Sequence, residues 1–152
     1  MPRRKPPEPA RLVFFLDRCL GAHVLPGVLR DAGMLVKTMQ AEGFAPDVED
    51  TAWIPVIAAR GWAILTKDKN IRRDSLELRA VLATEAYYFT LGKADRSARE
   101  MGEIILHHRA TIERLIAHRD PPVVAQINAT EVLMRAAGGE LRPVKRRHEK
   151  GS

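Results

Sequence analysis

Apolar positions in this chain fall into short unbroken runs, separated by stretches where they recur every three or four residues. Leu12-Val13-Phe14-Phe15-Leu16 is the first run and stops at Asp17, the pattern of a strand buried on both faces. His23 to Ala32 reads as a helix closed by Gly33, with Pro26 suited to its first turn, and Met34 to Thr38 reads as a second strand. Gln40 to Glu49, with Gly43 and Pro46, is loop-like. Asp50 is placed to cap a helix running through Trp53, Ile54, Val56, Ile57 and Ala58 to Arg60, and Gly61 ends it. Trp62 to Thr66 is a third strand, followed at once by the polar turn Lys67-Asp68-Lys69-Asn70.

Further along, a helix covers Leu76 to about Glu85, and Ala86 to Leu91 is a fourth strand rich in aromatic and β-branched residues. The longest helix is expected from about Ala94 to His118, with Met101, Ile105, His108, Ile112, Leu115 and Ile116 at helical spacing. Pro121-Pro122 breaks it. Val123 to Ile127 and Glu131 to Arg135 then flank Asn128-Ala129-Thr130 as a hairpin or an edge addition. The chain has no internal repeat. Strands alternating with helices predict an α/β fold whose largely parallel sheet is covered on both faces. In such sheets ligands collect outside the carboxyl ends of the strands, above all where the strand order reverses. Asp17 and Asp68 each follow an apolar strand, and in a 2-1-3-4 order they face each other across that point.

Composition narrows the class. The 152 residues, 45% of them hydrophobic, suit one domain with a real core. The formal charge is +6, with Arg3, Arg4 and Lys5 against Glu8 at one end and Arg142, Lys145, Arg146, Arg147 and Lys150 against Glu149 at the other. Between these ends acids and bases balance. The expected organisation is therefore a flexible basic arm over residues 1–10, a folded domain over 11–137 and a basic tail over 138–152. Such tails attract a polyanion or serve solubility. No apolar stretch approaches the roughly 20 residues that span a bilayer, and the N-terminal segment lacks the apolar core of a signal peptide, so a cytoplasmic protein is expected. Cys19 is the single cysteine, which excludes an intramolecular disulfide and a cysteine-built zinc site.

The candidate chemistry is acidic. Asp17 ends a strand, Asp50 begins a helix and Asp68 ends another strand, so all three can lie at one edge of the sheet. At an effective dielectric of about 20, two carboxylates about 5 Å apart repel by roughly 3 kcal/mol, and a divalent ion removes that conflict. All-oxygen ligation points to Mg²⁺ or Mn²⁺ rather than zinc. Taken alone, Asp50 before a helix reads more readily as an N-cap, and Asp68 reads as well as a turn former; Asp17 is harder to assign to packing, because a carboxylate after a buried apolar run is seldom there for that purpose. Asp47 or Glu49, in a segment without basic residues, could add a fourth ligand or belong to a solvated loop. Lys67, Lys69, Arg72 and Arg73 around Asp68 suit phosphate binding or an exposed basic turn. His108 reads as a hydrogen-bonded core histidine, His107 and His118 as solvent-facing or helix-end residues and His23 as a helix start. Cys19 has no evident histidine partner for nucleophilic work. Trp53 and Trp62 read as packing between helix and sheet.

Three pieces, Phe14-Phe15-Leu16-Asp17, Asp50-Thr51-Ala52-Trp53-Ile54 and Gly61 to Asn70 with its Leu65-Thr66-Lys67-Asp68 strand end, together resemble the PIN-like family, which includes VapC-type toxin ribonucleases and their compact relatives. They span roughly the first half of the chain. The resemblance implies a three-layer α/β/α, Rossmann-like fold with a mainly parallel central sheet and antiparallel C-terminal edge strands. It also implies a Mg²⁺- or Mn²⁺-dependent endoribonuclease, commonly the toxin half of a toxin–antitoxin pair and often dimeric, so RNA, an antitoxin protein and a second copy of the chain are the expected partners. The family's acidic residues carry over onto Asp17, Asp50 and Asp68. One departure stands out: several relatives place a further acid two residues after the strand-ending aspartate, where this chain has Asn70. Two rival readings follow. One is a catalytically weak nucleic-acid- or antitoxin-binding module on the same fold. The other is a receiver-type signalling domain, with Thr90 as its switch residue, although Arg18 stands where a receiver needs a paired acid.

Overall fold

Short apolar runs can enter a core only if their backbone N–H and C=O groups pair side by side. A computed structural model, describing residues 12–67, 76–92, 95–135 and 141–144, shows that pairing. In chain order the elements are β1 (Val13–Leu16), α1 (Val24–Asp31), β2 (Leu35–Thr38), α2 (Asp50–Arg60), β3 (Ala63–Lys67), α3 (Leu76–Leu82), β4 (Tyr87–Leu91), α4 (Ala98–His107), α5 (Arg109–His118), β5 (Val123–Ile127), β6 (Val132–Arg135) and β7 (Leu141–Pro143). Among the described residues they build one seven-stranded sheet in the order β2-β1-β3-β4-β5-β6-β7. The strands β1 to β5 run parallel, whereas β6 and β7 are antiparallel additions. The strand order reverses between β1 and β3, which pair through Phe14–Ala63, Phe15–Ile64 and Leu16–Leu65.

Alternation along the strands divides the core into two layers. Phe14 and Leu16 of β1, Ala63 and Leu65 of β3 and Phe89 of β4 pack on the side of α1, α4 and α5. Phe15, Ile64 and Tyr88 point the other way, against Trp53, Ile54 and Ile57 of α2 and Leu78 and Val81 of α3. The architecture is thus three-layer α/β/α, and the central strands are predominantly hydrophobic because both faces are covered, with buried Thr66 and Thr90 among the polar exceptions. Truncating a fully buried residue such as Leu65 to alanine costs about 2–5 kcal/mol in a core of this kind. Among the described residues no helix is long and apolar enough to cross a membrane.

Local signals set the helix ends. Gly61 takes a left-handed conformation (φ 76°) and donates its N–H to the Ala58 carbonyl, closing α2 in a geometry that an L side chain adopts only with strain. Ser97 opens α4 with a capping box: its hydroxyl accepts from the Glu100 N–H at 3.1 Å, and Glu100 Oε1 accepts from the Ser97 N–H at 2.9 Å. A Cβ at Gly102 would stand 2.7 Å from Val28 Cγ1, so α1 and α4 approach as closely as glycine allows.

The long helix expected from Ala94 to His118 is divided in two. His108, 2% exposed, lies between α4 and α5 with φ −100° and ψ 8°, and its N–H is shared between the Ile104 and Ile105 carbonyls. Its Nε2 lies 2.8 Å from the Asn128 carbonyl oxygen. The backbone leaves the helical path at this residue, while the apolar stripe of both segments stays in the core. His108 is accordingly the hydrogen-bonded core histidine that its position suggests. The pair flanking Asn128 to Thr130 forms antiparallel strands as expected. Leu141–Pro143, placed in the basic tail by sequence, pairs with β6 as a further edge strand, because an exposed edge offers backbone groups to any nearby extended segment.

The hydrogen bonds from the Ser97 backbone and side chain hold the Glu100 carboxyl below its ordinary value. That contribution to stability is complete above the usual glutamate range and is lost as pH falls below it. Ser97→Ala is expected to lower the unfolding free energy by about 1 kcal/mol at neutral pH, measured by urea denaturation. Glu100→Gln should flatten the acid-side decline seen in the wild type.

Candidate functional site

The carboxyl ends of β1 and β3 form the centre of the candidate site. Beyond the paired residue Leu16, the Asp17 N–H continues the ladder to the Leu65 carbonyl at 3.0 Å, which aligns Asp17 with the end of β3. Asp17 is 1% exposed, and its Oδ2 accepts a 2.8 Å hydrogen bond from the hydroxyl of fully buried Thr66. Burying a carboxylate is costly unless hydrogen bonds or a cation compensate, so its placement at a strand end is a built feature. Immediately after it, the 3-10 turn Arg18–Leu20 carries Cys19 back over β3. There Cys19 Sγ lies 3.4 Å from Thr66 Oγ1 and accepts the Lys67 N–H at 3.4 Å.

Arg18 and Trp53 bring the second acidic segment to this edge. The Arg18 guanidinium donates to the Val48 carbonyl and to Met39 Sδ, tying the turn after β1 to the loop that leads into α2. Asp50 does not cap α2: Glu49 has the extended cap conformation, without a side-chain cap bond, and Asp50 is the first helical residue. Its Oδ1 instead accepts a 2.9 Å hydrogen bond from Trp53 Nε1. The indole packs on Phe15 with ring centroids 5.3 Å apart, so the first turn of α2 is anchored two residues before Asp17 on β1. A negative side chain in the first turn also opposes the positive end of the helix dipole. Trp62 lies 6.4 Å from Phe15, beneath the Arg60 guanidinium at 4.8 Å. Both tryptophans therefore pack as the sequence suggests, and one of them also orients an acid.

The other named positions divide clearly. Asp47 and Glu49 are exposed on the acidic loop, and Glu42 in the same segment pairs with Arg60 at 2.7 Å. Half-buried Lys67 ends β3. Asp68, Lys69, Asn70, Arg72 and Arg73 lie outside the described residues. His23 precedes α1 without a side-chain cap bond and is exposed. Among the described residues no group of three Asp, Glu, His or Cys side chains could hold a metal ion. The donors offered by Asp17, Asp50 and Thr66 are all hard oxygens, which fit Mg²⁺ or Mn²⁺ and not a soft-ligand metal.

Sequence reasoning missed Thr66, Arg18 and the Trp53 indole. Thr66 carried a signal, since it is the one hydroxyl in the buried third strand and stands two residues before Asp68. Thr66→Val, close in shape but without the donor to Asp17 Oδ2, is expected to destabilise the protein by about 1–3 kcal/mol in chemical denaturation. Thr66→Ser, which keeps the hydroxyl, should recover much of that loss.

Comparison with known proteins agrees with this frame. Residues 12–93 match a family model described as "PIN like domain". The chain is 37% identical over 123 residues to the protein named "Putative ribonuclease VapC45" from Mycobacterium tuberculosis (strain ATCC 25618 / H37Rv), an alignment covering 78% of this chain and 88% of that relative. No solved structure matches the chain.

Proposed function

The chain belongs to the PIN-like domain family, and from that premise we propose that it is a Mg²⁺- or Mn²⁺-dependent endoribonuclease in which Asp17, Asp50 and Asp68 hold the cation. In this reading it is the toxin half of a toxin–antitoxin pair, working in the cytoplasm with a protein antitoxin as partner. The observation that carries the reading is Asp17: a carboxylate buried at the carboxyl end of a central parallel strand, at the reversal of strand order, held by a hydroxyl from the neighbouring strand. The relative with ribonuclease in its name supports RNA as the substrate class.

When bound, the cation supplies Lewis-acid stabilisation of the negative charge on the phosphoryl group. The chain's own residues do the rest. Thr66 fixes the orientation of Asp17, and Trp53 fixes that of Asp50, so both carboxylates are set before a ligand arrives. Asp47 or Glu49 is available to complete the acidic set from the adjoining loop. Lys67, Lys69, Arg72 and Arg73 hold the phosphates of the substrate and offset charge that builds up during hydrolysis. Arg18 acts at one remove, keeping the loop before α2 against the turn after β1.

Cleavage of a labelled RNA is expected to require Mg²⁺ or Mn²⁺ and to cease with chelator. Asp17→Asn should lower the rate on the order of 100-fold or more. Equal cutting by variant and wild type would remove Asp17 from the mechanism. RNA bound but left intact by the wild type in either metal would instead favour a binding module. Asn70→Asp, which supplies the acid found there in several relatives, is expected to tighten Mn²⁺ binding on the order of tenfold in calorimetric titration. An unchanged affinity would place position 70 outside the cation's reach.

A further inference from the structure

A second charged feature lies on the other side of the sheet from β2. Between α5 and the β6–β7 pair is a cleft of about 680 Å³. Arg114 and His118 enter it from one face of α5, Arg119 from just beyond the helix, and Arg135 and Arg142 from β6 and β7. Leu115 and Met134 supply apolar surface between them. Among the described residues no Asp or Glu lines it. Like charge gathered at one concave surface favours an anion there.

We propose that this cleft binds the phosphodiester backbone of single-stranded RNA, holding substrate away from the reacting bond. The ligand class rests on the ribonuclease reading given above. Three observations favour RNA over an acidic peptide. Guanidinium planes beside apolar side chains can stack unpaired bases as well as pair with phosphates. In sequence, Lys145, Arg146, Arg147 and Lys150 follow Val144, a lining residue, with Glu149 the one acid among them, so the chain next to the cleft in sequence is strongly basic. A smaller cavity of about 180 Å³ shares Pro143 and Val144 with the cleft and continues to His108 and Thr111, though Glu131 also lines it. His108 contacts Asn128, just past the carboxyl end of β5, so the track leads toward the sheet edge that carries Asp17. Four strand spacings separate β6 from β1, about 19 Å across the sheet, a distance that an extended RNA strand bridges but a single nucleotide does not.

The test is an equilibrium titration of the full chain, in chelator so that no cleavage occurs, with a labelled single-stranded RNA of about 12 nucleotides. Arg119→Ala/Arg142→Ala is expected to weaken binding on the order of tenfold and to reduce the slope of log K against log salt by about 1.4, or about 0.7 for each lost phosphate contact. Arg119→Lys/Arg142→Lys retains charge and should keep the slope; thermal unfolding of each variant is followed alongside. As a control, Arg30→Ala/Lys37→Ala takes two charges from the β2 side and should leave both readouts within about twofold. Unchanged binding by the cleft variant, or equal weakening by the control, overturns the proposal. So does loss of polyglutamate binding with RNA binding intact, which would mark an acidic-peptide site. Because the RNA stays uncut, failure here leaves the cleavage reading standing, whereas absent cleavage with cleft-dependent binding would do the reverse.

Discussion

The ladder between β1 and β3 is the constraint on which the rest of the structure depends. Its register, continued past the paired strands by the Asp17 N–H to the Leu65 carbonyl, decides which side chains emerge together at the carboxyl edge. A slip of one residue would turn Phe15 and Ile64 to the wrong layer and carry Asp17 with them. Such a slip is opposed by the whole core, since Phe14, Phe15, Leu16, Ile64 and Leu65 are all essentially inaccessible. The same apolar burial that stabilises the fold thus holds a carboxylate in a place where solvation alone would not keep it. The Thr66 hydroxyl offsets part of that cost and links the two strands through side chains as well as backbone.

A second acidic segment reaches the same edge by different means. The loop between β2 and α2 has no regular ladder to position it, and its placement rests on side chains from neighbouring elements. Arg18 grips it at Met39 and Val48, and the Trp53 indole, seated on Phe15, sets the Asp50 carboxylate. Both contacts start close to Asp17, one from the turn just after it and one from β1 just before it. One strand and its following turn therefore organise the hydrogen-bonded core, the adjoining loop and the first turn of α2, which explains how acids far apart in sequence can be addressed to one side of the molecule.

Charge is distributed unevenly around this frame. Asp17 and Asp50 lie toward the carboxyl edge and the loop before α2, while Arg114, Arg119, Arg135 and Arg142 surround a concave surface beyond β5. The antiparallel strands β6 and β7 make that surface by extending the sheet past its parallel core.

By itself the sequence determined an α/β class with a largely parallel sheet covered on both faces and the exceptional character of Asp17, because buried strands and helix stops are local signals with short periods, whereas the three-layer PIN-like architecture came from the family resemblance and the strand order from the structure. It also determined that His108 belongs in the core. Only the tertiary structure decided that the long helix is interrupted at His108, whose ring meets the Asn128 carbonyl, that Leu141–Pro143 joins the sheet, that Asp50 answers to Trp53 and not to a cap, and that Arg114, Arg119, Arg135 and Arg142 share one cleft. Each of these depends on partners whose meeting is set by how side chains and elements pack in three dimensions, and no periodicity along the chain encodes that meeting.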